Sequence, residues 1–123
     1  SVRYAAAALF YIGQCHGQNG DEDKQTAVWA KMVKDDDYVA QPNSGTALTH
    51  LGHAMAKLGR HDEGLEWILR AQQNGMAGDA VALEHEGDIR WALGEKEAAR
   101  EVWRRALEAG GDEKVLNPKI DRP

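Results

Sequence analysis

The chain has 123 residues, of which 42% are hydrophobic and 28% charged. This composition suits one soluble globular domain with a core of its own; Cys15 is the sole cysteine, so disulfides and cysteine-based metal sites within the chain are excluded. The formal net charge is −5 with acids and bases interleaved, which argues against nucleic acid, and no apolar run is long enough to span a bilayer.

The first predicted element is a helix over 2–17. Its apolar run from Tyr4 to Gly13 has the length of a secretory h-region, yet Gln14 stands before Cys15 where a lipoprotein cleavage site asks for a small residue. The chain does not begin with methionine, from which we expect a processed or excised piece of something longer. Cys15 is expected to pack inertly on its helix. A second helix over 22–34 starts behind Asp21, a residue able to accept from orphan amides. The stretch Asp35–Ser44, with Pro42 barring helix continuation, is a longer connection.

Helices follow at 45–58 and 61–73, marked by Leu48, Leu51, Met55 and Leu58, then by Leu65, Ile68 and Leu69. Ser44 is placed to cap the first of them. Two more, at 80–93 and 96–109, carry Leu83, Ile89, Leu93, Val102 and Ala106, with Asp79 as the cap. Gly59, Gly75, Gly94 and Gly110 each follow a helical run, where a left-handed residue ends the helix. Beyond Gly111 a short helix begins at Asp112, is interrupted at Pro118, and caps what precedes it. No segment alternates with period two, so strands are not expected.

Three of these stretches look alike. Gly13, Gly52 and Gly87 are each followed seven residues later by a second glycine, Gly20, Gly59 and Gly94. Nine residues further stand the anchors Trp29, Ile68 and Trp103, and three beyond those Met32, Ala71 and Ala106. The spacing is 39 residues between the first two copies and 35 between the last two. A period in this range means helix–turn–helix units that bury their apolar faces on one another. The expected fold is all-α, an α-α superhelix of three helix-turn-helix repeats over about 5–34, 45–75 and 80–110, with a capping tail over 111–123. The glycines let paired helices approach closely and the anchors fill the space between them, so these residues are core rather than site.

On these residues the chain resembles the tetratricopeptide repeat family. The third copy, Leu83 through Gly87, Gly94, Ala99, Trp103 and Ala106, and the second, Leu48 through Gly52, Gly59, Gly64, Ile68 and Ala71, carry the likeness. The first copy is looser, and its longer spacing is similar to Sel1-like repeats. The third copy departs from the family pattern: Glu86 replaces a leucine and Arg90 an aromatic. Four residues apart on one helix, they either pair or face solvent at the end of the array.

The resemblance implies a module that binds a peptide or helix of a partner in a concave groove, with no catalysis and no cofactor. Once the core faces are assigned, Phe10, Gln14, Thr49, His53, Glu84, Asp88 and Trp91 remain to line that groove. Trp91 reads as a binding hot spot or as packing for the tail. Glu84 and Asp88 favour a partner with Lys or Arg and apolar groups, and His53 beside them makes binding respond to pH between roughly 5 and 8. Family members that clamp a terminal carboxylate use Lys, Asn and Arg here, a set this chain lacks, which argues against chaperone C-terminal tails.

Two other readings compete. His50, His53 and His85 with the nearby carboxylates could form a metal or enzymatic site, although such a site needs three or four converging ligands and solvated helix-face histidines explain them more simply. Exposed ends of the array could also support self-association. Nothing in the sequence chooses between cytoplasm and periplasm.

Overall fold

The computed structural model describes residues 11–32 and 45–123. Helix α1 is described over 11–18, followed by α2 (Glu22–Met32), α3 (Gly45–Lys57), α4 (His61–Ala71), α5 (Ala80–Ala92), α6 (Lys96–Glu108) and α7 (Glu113–Ile120). There is no strand among the described residues. The tightest pairings are α3 with α4 and α5 with α6, and α4 then packs on α5 and α6 on α7. The result is an all-α superhelix of consecutive hairpins, as the repeat predicted. The expected turn at Pro42, the cap at Ser44 and the start of the first helix lie outside the described residues.

The recurring glycines do steric work. A Cβ on Gly13 would overlap the Trp29 indole, and one on Gly87 would overlap that of Trp103. On Gly52 it would fall 2.7 Å from the Ile68 side chain and 2.8 Å from the Gly64 carbonyl. Each anchor therefore lies directly on the backbone of the facing helix. Trp29, Ile68 and Trp103 are accordingly buried, each side chain contributing ~1.5–3 kcal/mol through loss of apolar contact with water. Around them two apolar clusters form. One joins Trp29, Leu48, Leu51, Met55 and Ala71, the other Leu83, Ala99, Val102, Trp103, Ala106 and Leu116.

Helix ends follow the local chemistry. Gly94 has φ of +84°, and Glu95 N–H reaches back to the Arg90 carbonyl at 2.9 Å, closing α5. Gly59 closes α3 in the same way, with Arg60 N–H on the Met55 carbonyl at 3.0 Å. Asp79 caps α5 by accepting from Ala82 N–H at 2.9 Å, and Asp112 caps α7 by accepting from Lys114 N–H at 2.9 Å.

Helical backbone continues past Ala71 into a wide turn, Gln72–Met76, in which only Asn74 and Gly75 leave helical geometry, Gly75 with φ of +98° at the position expected to end the helix. Two expectations need correction. Pro118 does not interrupt the last helix, which runs through it to Ile120. Proline there loses a single intrahelical bond near the helix end, while Leu116 is fully buried and Arg100 holds the Ile120 and Arg122 carbonyls. Cys15 is exposed rather than packed, because Gly13 is the residue that turns toward α2.

Glu86 and Arg90 pair. Arg90 Nε donates to Glu86 Oε2 at 2.7 Å and its Nη1 to Glu95 Oε1 at 2.7 Å, while Gln72 Nε2 donates to Glu86 Oε1 at 2.7 Å. Glu86 is 4% exposed, so this network ties the turn after α4 to α5 within the boundary of repeats two and three. The bond to Glu86 outweighs burial and raises the Arg90 pKa above its ordinary value.

Two outcomes follow for stability. Gly52→Leu and Gly87→Leu should each cost ~1–3 kcal/mol or more through overpacking, read from urea midpoints. Arg90→Ala should cost more than Glu86→Ala, since it leaves a buried carboxylate without its cation, whereas the double change Glu86→Leu/Arg90→Tyr should be neutral or stabilising by up to ~4 kcal/mol. A double change as costly as Arg90→Ala alone would show that the network is not replaceable by packing.

Candidate binding groove

The first helices of the three hairpins, α1, α3 and α5, present one face, and the glycine register decides which residues it carries. Gln14, His53 and Asp88 each follow the packing glycine of their repeat, and Tyr11, His50 and His85 each stand two residues before it. Three recesses run along this face. The first, about 280 Å3, lies among Gln14, Gln18, Glu22, Gln25, Trp29 and His50. The second, about 200 Å3, shares Glu22, Gln25, Trp29 and His50 with it and continues to His53 and Lys57. The third, about 190 Å3, shares His53 and Lys57 and reaches His61, His85, Asp88 and Ile89. Shared walls make them one trough from Gln14 to Asp88. His50 also borders a fourth recess of about 260 Å3, with Thr46, Thr49, Met76, Asp79 and Val81.

Lys57, Glu22 and Asp88, which line the trough, are paired within the chain. Lys57 Nζ lies 3.0 Å from Glu22 Oε1. Lys119, arriving on α7, places its Nζ 2.9 Å from Glu84 Oε2 and 2.9 Å from Asp88 Oδ1. Burial alone would lower the Lys119 pKa, but the bonds to Glu84 and Asp88 prevail and hold it above its ordinary value. Asp88 also accepts from Trp103 Nε1 at 3.2 Å, so it helps orient the core indole.

The histidines are not simply solvated. His50 lies against Trp29 with ring centroids 5.6 Å apart, and His53 stacks on His85 at 4.0 Å. Burial lowers the pKa of His50. Burial, then Lys57, lowers that of His53, and the opposing pull of Asp88 does not compensate. The expected titration of His53 near its ordinary value is therefore corrected downward. Among the described residues no three His, Cys, Asp or Glu side chains are grouped to hold a metal ion.

The groove residues predicted from sequence divide accordingly. Gln14, His53 and Asp88 border the trough. Phe10 lies outside the described residues. Thr49 is 3% exposed, with its hydroxyl donating to the Gly45 carbonyl at 2.9 Å. It lines the fourth recess together with Met76 of the turn after α4, whose Asn74 carbonyl lies close to Gly45. Glu84 and Asp88 are engaged by Lys119. Trp91 packs beside Trp103 at 5.6 Å and carries the cations of Lys96, Arg100 and Arg122 at 5.1, 5.3 and 5.0 Å from its centroid. Arg122 of the tail is thus among its contacts, as one of the two roles its position allowed would have it. His50, Lys57 and Gln25 were missed as groove residues; the repeated position of His50, two before the glycine, was the available signal.

No family model matches the chain, and the search of curated proteins gave no match. Solved structures do match. The first TPR domain of Spaghetti (RPAP3), bound to the HSP90 peptide SRMEEVD, superposes with a TM-score of 0.75 at 19% identity over 95% of this chain and 90% of that one. The fold is that of a tetratricopeptide repeat domain. The first TPR domain of human RPAP3 gives 0.75 at 19% identity, covering 95% of this chain and 87% of that one. The Sgt2 TPR domain from Aspergillus fumigatus gives 0.73 at 17% identity, covering 94% and 74%.

Because the tail occupies the third repeat's acidic pair, Lys119→Met should destabilise the chain by about 1.5–3 kcal/mol, the range for hydrogen bonds to charged groups. Urea unfolding checks it, and the gap between variant and parent should narrow as salt is added. An unchanged midpoint would mean that Lys119 merely decorates the surface.

Proposed function

We propose that the chain is a non-catalytic protein-interaction module that takes a peptide or helix of a partner along the face of α1, α3 and α5. The observation that carries this reading is the continuous trough from Gln14 to Asp88, whose recesses share walls through His50 and His53. Each recess is below the ~300–1,000 Å3 of a small-molecule site, which suits a row of single side chains better than one compact ligand. The likeness to RPAP3 domains that hold an HSP90 peptide supports the same use of the fold.

The partner should differ from that acidic peptide. Glu84 and Asp88 stand on the third repeat, and the Lys, Asn and Arg set for a terminal carboxylate is missing from the groove positions. With Lys57 and Lys119 already paired and the histidines held neutral, recognition rests on shape and hydrogen bonding by Gln14, Gln25, His50 and His53, with Asp88 at the margin. Binding should then depend only weakly on salt, in contrast to recognition through free carboxylates. A Sel1-like character of the first repeat remains part of this reading, resting on the longer first spacing.

Panning a tiled peptide library against the full chain, followed by fluorescence anisotropy of the best ligand, tests the proposal. His50→Ala should weaken that ligand at least tenfold, about 1.4 kcal/mol, and Gln25→Ala by a smaller factor. Glu66→Ala and Glu101→Ala, on exposed faces of the second helices, should leave it unchanged. The reverse pattern would place binding on the outer surface.

A further inference from the structure

We propose that the stacked His53–His85 pair is an acid-sensitive clasp, holding repeats two and three together while both rings are neutral and releasing them when a ring takes a proton. His53 stands on α3 and His85 on α5, the first helices of consecutive repeats, with ring planes 25° apart and centroids separated by 4.0 Å. The two rings wall a recess whose lining includes Ala56 and Ile89. Neutral imidazoles stack well in such a place. Two imidazolium ions at that separation repel, and even one has lost much of its hydration.

Among the described residues, the carboxylates that act on the pair are already engaged. Facing it are Glu22 on α2, His50 and Lys57 on α3, His61 at the start of α4, Asp88 on α5 and Lys119 on α7, with Asp23 of α2 in the recess that His53 shares with Glu22. Glu22 is bonded to Lys57 and Asp88 to Lys119. Glu84, next to His85 in the chain, is bonded to Lys119 as well. Nδ1 of His85 is buried and has no hydrogen-bond partner in the protein, so no protein acceptor is at hand to stabilise a proton there. Burial, followed by His53 and the other positive neighbours, pushes the His85 pKa down to about 3. Burial pushes His53 down as well.

The sign follows from proton counting. An unfolded histidine takes its proton near pH 6.5, and folded His85 resists until about pH 3. The clasp's contribution is thus complete above about pH 6.5. It is lost progressively as pH falls from there toward 3, by up to about tenfold in the folding constant per pH unit for His85. The effect is local to the joint, so α3 and α4 should loosen from α5 before α6 and α7 separate.

The test uses the whole chain, unfolded in urea between pH 7.5 and 4.5, beside His85→Phe, which keeps a ring on His53 and removes an unpartnered buried nitrogen. Nitrogen-15 imidazole shifts and amide exchange are followed over the same range. The expected result is a neutral His85 at pH 5, a stability that falls below pH 6.5 in the parent, and a shallower fall in the variant. Amide protection in α4 should weaken before that in α6. A His85 ring that titrates near 6.5, equal pH slopes in parent and variant, or simultaneous loss of protection in α4 and α6 would overturn the proposal. Should His85→Phe fail to fold, His53→Phe gives the same comparison with the same expected direction.

Discussion

The contact between a glycine on each first helix and an anchor on each second helix organises this molecule, because it sets how closely the two helices of a hairpin can approach. Gly87 receives Trp103 and Gly13 receives Trp29. In the middle repeat the anchor is the smaller Ile68, and there Gly64 on α4 lets the two backbones meet almost directly at Gly52. Large anchor with one glycine, or small anchor with two, fills the same interhelical space. Once that distance is fixed, the outward faces of α1, α3 and α5 line up and the trough exists as a by-product of packing.

The boundary between repeats two and three is unusual in being polar on both sides. Toward the trough it is closed by the His53–His85 stack, and on the other side by Gln72, Glu86, Arg90 and Glu95. Family-like apolar residues would bind these repeats more tightly, since buried ion pairs recover their desolvation cost only when every polar atom is satisfied. Here they are satisfied on the side of Glu86, while the side of His85 leaves two ring nitrogens, Nδ1 of His85 and Nδ1 of His61, without a protein partner.

Much of this could be read from the sequence because its determinants are local. The glycine period, the helix-ending glycines and the Asp79 and Asp112 caps act within a few residues and stand where the spacing put them. What was not legible depended on contacts made elsewhere. Thr49 has the register of a groove residue and borders a recess, but its hydroxyl is spent on the Gly45 carbonyl and its side chain is buried. Trp91 and the acidic pair look available until α7 brings Lys119 and Arg122 across them. Pro118 reads as a helix breaker, yet Leu116 seats the helix in the core regardless. The sequence brought His53 and His85 together only as candidate metal ligands; that their rings stack across two repeats depends on how α3 and α5 pack.

Lys57 reaches Glu22 and Lys119 reaches Glu84, and each of these bonds spans 35 residues, one repeat length. Such links tie a hairpin to its immediate neighbour and to nothing farther away. Ordering can consequently spread along the chain one unit at a time, without first closing a long and entropically costly loop. Damage should travel by the same short steps: a frayed unit weakens the one beside it, and the next is affected only through that neighbour.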